Sequence, residues 1–148
     1  MTDSWTDELL NLCDKAEVLR FPVSRLLVNP ERFEHDSDEP LAKRGMGAVY
    51  IQTHDGKRLK DSLVREELMA EFYKPHYTAL EDWATAALEH HGRCLIIDCH
   101  SYSSVPLLCD HDQTSNRPDI CIGTSEVYTP AGLIESTVAA FNWKDYSV

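Results

Sequence analysis

Cys94-Leu95-Ile96-Ile97 is the stretch that most narrows the folds open to this chain. Four consecutive apolar residues have no solvent-facing side. A run this short, bounded by Gly92 and Asp98, reads as a strand buried on both faces, as in a parallel sheet covered by helices. Ile120 to Gly123 reads as a second such strand. Ser24 to Val28, closed by Asn29-Pro30, and Ala48 to Thr53 are further strand candidates. The second of these runs into the turn signal His54-Asp55-Gly56-Lys57.

Helical spacing fills the intervals. Trp5, Leu9, Leu12 or Cys13, and Ala16 recur at helical period over Ser4 to Ala16. From Asp61 to His91, Val64, Leu68 and Phe72 form one stripe and Leu80, Trp83 and Ala87 another. Pro75 between them should kink or split the helix, because it lacks an N–H and crowds the preceding turn. Gly92 is placed to terminate it. Thr129-Pro130 marks another helix start, with Leu133, Ile134, Val138 and Phe141 as the buried face. Tyr146-Ser147-Val148 looks like the beginning of a strand. Strands alternating with helices predict an α/β fold with a mostly parallel (mixed) sheet flanked by helices. Ligands bind such sheets beyond the carboxyl ends of the strands, which directs attention to the residues after Ile97 and after Gly123.

With 148 residues the chain is long enough for one domain with a core of its own. Its formal net charge of −11 argues against nucleic acid and anionic membranes as partners, since both need clustered Lys and Arg. No apolar run approaches a membrane-spanning length, and the first residues lack the pattern of a signal peptide. Five cysteines, an odd number without metal-finger spacing, suggest a reducing, cytoplasmic setting. Cys94, Cys99 and Cys121 lie in apolar runs and read as small hydrophobes.

Three groups could carry chemistry. His100, in Asp98-Cys99-His100-Ser101, directly follows the apolar strand. A histidine there projects towards the ligand-binding edge and could ligate a metal, or it could simply hydrogen-bond the adjoining loop. Arg25, Arg32 and Arg44 flank or occupy the polar segment 29–47. Guanidinium forks match carboxylates, so these could clamp an acidic ligand; the competing reading is ion pairing with Glu31, Glu34, Asp36, Asp38 and Glu39. Asp7-Glu8 could supply a metal carboxylate or could complement a helix dipole. No dinucleotide fingerprint, phosphate-binding loop or serine nucleophile elbow is present. Spacing alone orients no histidine towards Cys99 or Cys109 as a nucleophile.

Asp98-Cys99-His100-Ser101-Tyr102-Ser103 resembles the D-x-H-S corner of the N-formylglutamate amidohydrolase family, which is related to the zinc carboxypeptidases. Further segments match in order: Trp5-Thr6-Asp7-Glu8-Leu9, Ser24-Arg25-Leu26-Leu27-Val28-Asn29 with Glu31-Arg32-Phe33, and Arg44-Gly45-Met46-Gly47. Tyr73-Lys74-Pro75-His76-Tyr77 and Asp119-Ile120-Cys121-Ile122-Gly123-Thr124 complete the set. The resemblance implies a zinc carboxypeptidase-type fold and hydrolysis of the N-formyl amide of N-formyl-L-glutamate, or of a related N-acyl amino acid, in histidine degradation. It implies zinc as cofactor, with His100 and, speculatively, Asp7 as ligands. Arg32, with Arg25 and Arg44, would hold a substrate carboxylate. Zinc would polarise the amide and lower the pKa of its water to about 7, with a carboxylate as general base.

Two departures qualify the likeness. Family members carry a P-H-S-G or P-H-G-G segment before the region matched here and a catalytic Glu segment after it. Asn29 also stands where Asp is usual. The expectation is therefore a single, partial domain over residues 1–148, truncated at both ends. Its alternative role would be a non-catalytic carboxylate-binding or subunit-interaction domain. Lost strands should leave apolar edges that promote aggregation.

Overall fold

A computed structural model of the chain describes Thr6, Glu8, residues 16–108, Asp110 and residues 112–148. Thr6 and Glu8 are helical and Ala16 lies in a bend. The rest of the helix expected over Ser4 to Ala16, Asp7 included, lies outside the described residues. The chain separates into two compact units, Met1–Tyr102 and Ser103–Val148.

The spine of the first unit is a helical run. It opens with a 3-10 turn, Ser62–Val64, and continues through helix α1 (Arg65–Leu68), a π-helical turn (Met69–Tyr73) and helix α2 (Lys74–His91). The split expected at Pro75 therefore takes the form of a change of helix type. A proline ring collides with the carbonyl four residues back. Widening the preceding turn relieves this, and the Lys74 N–H bonds to Met69 O, five residues back, immediately before the proline. Gly92 ends α2 with φ 66°, its N–H donating to Leu88 O, as the sequence predicted.

The wide turn presents Met69 and Tyr73 to the core, where they are 1% and 5% exposed. They pack on Val28, Ala48 and Val49, with Phe21, Val23, Leu27, Leu68, Phe72 and Tyr77 around the edge. The opposing layer, residues 21–52, is irregular. Leu27 N and Val28 N both donate to Ser24 O, so the strand expected over Ser24 to Val28 is a turn. The Lys60 ammonium pins it by donating to the carbonyls of Leu26 and Leu27. A 3-10 turn, Ala42–Arg44, ends at Gly45, whose φ is 70°. The turn signal at 54–57 is borne out: Thr53 N bonds to Lys57 O, and Gly56 takes φ 81°.

Among the described residues the expected α/β sheet is not present. They are 35% helix and 3% strand, and that strand content is two isolated bridges, Met46↔Tyr50 and Gln52↔Arg58. A strand buried on both faces needs a partner on each edge and a helix over each face. Cys94 to Ile97 has no regular secondary structure and, among the described residues, no backbone ladder, and Leu95, Ile96 and Ile97 are 62%, 57% and 64% exposed. Cys94 and Cys121 are likewise exposed, contrary to their reading as core residues.

In the second unit, Ile120 N donates to Ser147 O, and Asp119 exchanges side-chain and backbone hydrogen bonds with Ser147. Neither the strand expected over Ile120 to Gly123 nor the one expected to begin at Tyr146 is formed among the described residues. Helix α3 (Ala131–Asn142) begins one residue later than the Thr129-Pro130 signal implied: Pro130 is its N-cap, and the Thr129 hydroxyl accepts from Ser125 N. Ile134, Val138 and Phe141 are half-buried and Leu133 is exposed. Arg117 organises the loop before it, reaching Ser103 O, Asp110 Oδ2 and Asp112 O.

Candidate active site

Asn29 anchors the site loop. It is fully buried; its N–H bonds to Ala48 O at 2.7 Å and its amide donates to the Tyr50 hydroxyl. Its Oδ1 accepts from Glu31 N at 3.1 Å, the short-range bond by which Asx residues build turns. Arg32 N adds a bond to Asn29 O. Glu31 and Arg32 are thereby set side by side on a fixed turn.

From that turn the two side chains do different things. The Glu31 carboxylate accepts from Arg25 at 2.5 Å and lies 3.0 Å from Nδ1 of His100. The other ring nitrogen, Nε2, lies 2.8 Å from Asp98 Oδ2. His100 thus sits between two carboxylates, on an exposed segment without regular secondary structure and not at the end of a buried strand. Arg32 turns the other way, with Nη1 3.6 Å from Oε1 of the buried Glu39. Both Glu39 oxygens are also held by backbone, Oε1 by Leu41 N and Oε2 by Phe33 N. The Arg32 Nε is buried without a partner.

Glu31, Arg32, Phe33, Tyr73, Lys74 and Tyr77 are among the residues lining an open cleft of about 650 Å3. Tyr73 donates to Arg32 O and Tyr77 to Pro30 O, so α2 and the π turn close the cleft from below. Burial pushes the Tyr73 hydroxyl well above the ordinary tyrosine range, with the neighbouring Tyr77 adding to the effect. Cys99, half-buried beside His100, has its thiol pushed up by burial and by the charge of Asp98, opposite to what an activated nucleophile requires.

The residues singled out from sequence separate into three sets. His100 and Arg25 meet through Glu31, and Arg32 lines the adjoining cleft. Arg44 is exposed at the end of its 3-10 turn and is not among the cleft-lining residues. Asp7 lies outside the described residues. Sequence reading treated Glu31 and Glu39 only as neutralising partners and overlooked Asn29 and Asp98 as structural parts of the site. The Asn-Pro turn and the acid two residues before His100 were the signals available.

The donor chemistry around His100 suits zinc in kind: imidazole nitrogen and carboxylate oxygen are both zinc donors. Glu31 on Nδ1 is a carboxylate–histidine pairing of the kind that fixes a ligand ring, and Nε2 is itself paired with Asp98. No group of three His, Cys, Asp or Glu side chains that could hold a metal ion occurs among the described residues, whereas a catalytic zinc usually takes three protein ligands.

No described helix is long and apolar enough to cross a membrane. No curated protein and no solved structure matches the chain. The family model described as N-formylglutamate amidohydrolase matches residues 1–148, every residue of the sequence. With that match over the whole length, the chain belongs to the N-formylglutamate amidohydrolase family.

Proposed function

We propose that the chain hydrolyses the N-formyl amide of N-formyl-L-glutamate, or of a closely similar N-acyl amino acid, to formate and the free amino acid by a metal-activated water. The observation that carries this reading is the family match across all 148 residues. It is supported by Glu31 and Arg32, which share one turn and line an open cleft, and by the contact of Glu31 with His100.

Arg32 is the group proposed to take a substrate carboxylate. It lines the cleft, and its unpaired buried Nε means that Glu39 leaves part of its donor fork unused. Arg25 is proposed to act through Glu31, holding that carboxylate against His100. Arg44, proposed from sequence with these two, has no support in the cleft's geometry. Zinc would be held by His100 with Asp98, and Asp7 remains a proposed further ligand; when bound, the ion would act as a Lewis acid on the amide carbonyl and on water. The cytoplasm and histidine degradation are the setting proposed for this activity.

A second reading, a non-catalytic ligand-binding or subunit-interaction domain, is favoured by one observation: no third metal donor joins the pair among the described residues. Zinc titration by calorimetry, together with formate release from N-formyl-L-glutamate, separates the two. The catalytic reading expects zinc binding that His100→Ala abolishes, and hydrolysis whose KM rises at least about tenfold in Arg32→Ala. Zinc uptake indifferent to His100, with no formate released, would sink it in favour of the second.

A further inference from the structure

We infer that Tyr73 and Tyr77 are positioning residues, a two-hydroxyl clamp that holds the turn carrying Glu31 and Arg32 in its ligand-ready register. The inference rests on the reading of that turn as the substrate-binding element.

The two tyrosines stand four residues apart on one helical face, where side chains lie one above the other. Their rings pack at 4.7 Å between centroids, 33° from parallel. Their hydroxyls donate to two carbonyls of one turn: Tyr73 to Arg32 O at 2.8 Å and Tyr77 to Pro30 O at 2.6 Å. Those carbonyls bracket Glu31. From the opposite side, Asn29 captures the N–H groups of Glu31 and Arg32 through its Oδ1 and its carbonyl. The backbone of 30–32 is therefore fixed from both sides, by a buried asparagine and by a helix. With the backbone held, the neighbouring side chains diverge, Glu31 to Arg25 and His100, and Arg32 to Glu39 and the cleft.

Packing alone does not require these hydroxyls. Phenylalanine would fill the same apolar volume against Val28 and Met69, yet it cannot donate to a carbonyl. Loss of either donor leaves a partly buried carbonyl unpaired and frees one end of the turn. A displacement of about 1 Å at Arg32 is enough to spoil a two-point carboxylate contact. The clamp thus gives the tyrosines at both ends of Tyr73-Lys74-Pro75-His76-Tyr77 a role distinct from core filling. The π turn, which ends at Tyr73, leads directly into that pair.

The test compares the full chain with Tyr73→Phe, Tyr77→Phe and Arg32→Lys by three readouts: amide hydrogen exchange, thermal midpoint, and KM and kcat for N-formyl-L-glutamate. The clamp predicts faster exchange at Glu31 and Arg32 in either Phe variant, with α2 unchanged. It predicts a KM raised about tenfold, the equivalent of one lost hydrogen bond, with kcat changed less. In the Arg32→Lys background the Phe substitutions should add little to KM, because their effect passes through Arg32. Phe variants that melt earlier but keep wild-type exchange at 31–32 and wild-type KM would overturn the clamp. Tyr77, less buried than Tyr73, supplies the variant to read if Tyr73→Phe does not fold. If the parent chain neither binds nor hydrolyses N-formyl-L-glutamate, the functional reading fails. Exchange at 31–32 then still decides the clamp on its own: faster supports it, unchanged removes it.

Discussion

His76 shows how a single side chain ties this site to pH. Its ring meets Phe21 edge-on at 5.0 Å and Tyr77 at 5.9 Å. Burial lowers its pKa from the ordinary 6.5, while the negative charge of Asp98 works in the opposite direction. The folded state therefore prefers the neutral ring. That contribution is complete above pH 6.5 and is lost as pH falls through the lowered folded-state value. A urea midpoint measured at pH 7.5 and at pH 5 should fall further in the parent than in His76→Phe, which keeps the aromatic packing without the proton. Equal falls in the two proteins would remove His76 from the account. At this scale the sequence was legible where residue type dictates chemistry. His100 and Arg32 stood out by residue type, and in the structure each meets a carboxylate. Which acid would meet which base was not legible, because Glu39 is drawn inward by the N–H groups of Phe33 and Leu41, a feature of the folded turn alone.

Turns and helix ends were read more reliably than strands, and the reason is locality. Gly92, Gly56 and the Pro75 interruption are decided by residues within five positions of themselves. A strand is decided by whatever lies beside it, which no local pattern specifies. Gly45 is the sharpest case of a locally imposed requirement. Its φ of 70° is left-handed, and a Cβ added there would stand 2.9 Å from Ile51 Cγ1. Gly45→Ala combines a left-handed alanine, about 1–2 kcal/mol, with that contact. It should lower stability by roughly 2 kcal/mol in denaturant titration, as a shift in midpoint with little change in slope. A loss below a few tenths of a kcal/mol would show that the segment 42–52 relaxes freely around the substitution.

For the molecule as a whole, the unpaired apolar segments set how it meets other copies of itself. Leu95, Ile96 and Ile97 are more than half exposed on a backbone without ladder partners among the described residues. An exposed, unpaired run of β-branched and aliphatic residues is the kind of segment that templates edge-to-edge association. The sequence reading of this segment as a strand buried on both faces is overturned: among the described residues it has no ladder partner, and its side chains are exposed. Against association stands the net charge of −11 at neutral pH, which repels like copies at long range. The two terms respond differently to conditions. Salt screens the repulsion, and approach to the isoelectric point near 4.9 cancels it, while the apolar attraction persists through both. Light scattering should therefore show self-association growing as pH falls from 7 towards 5, and growing with salt at pH 7. The double variant Leu95→Lys, Ile97→Lys should suppress it under both conditions, even though two added lysines bring the net charge closer to zero. If charge alone governed association, that variant would associate more than the parent, so the direction of its change separates an apolar edge from simple colloidal repulsion.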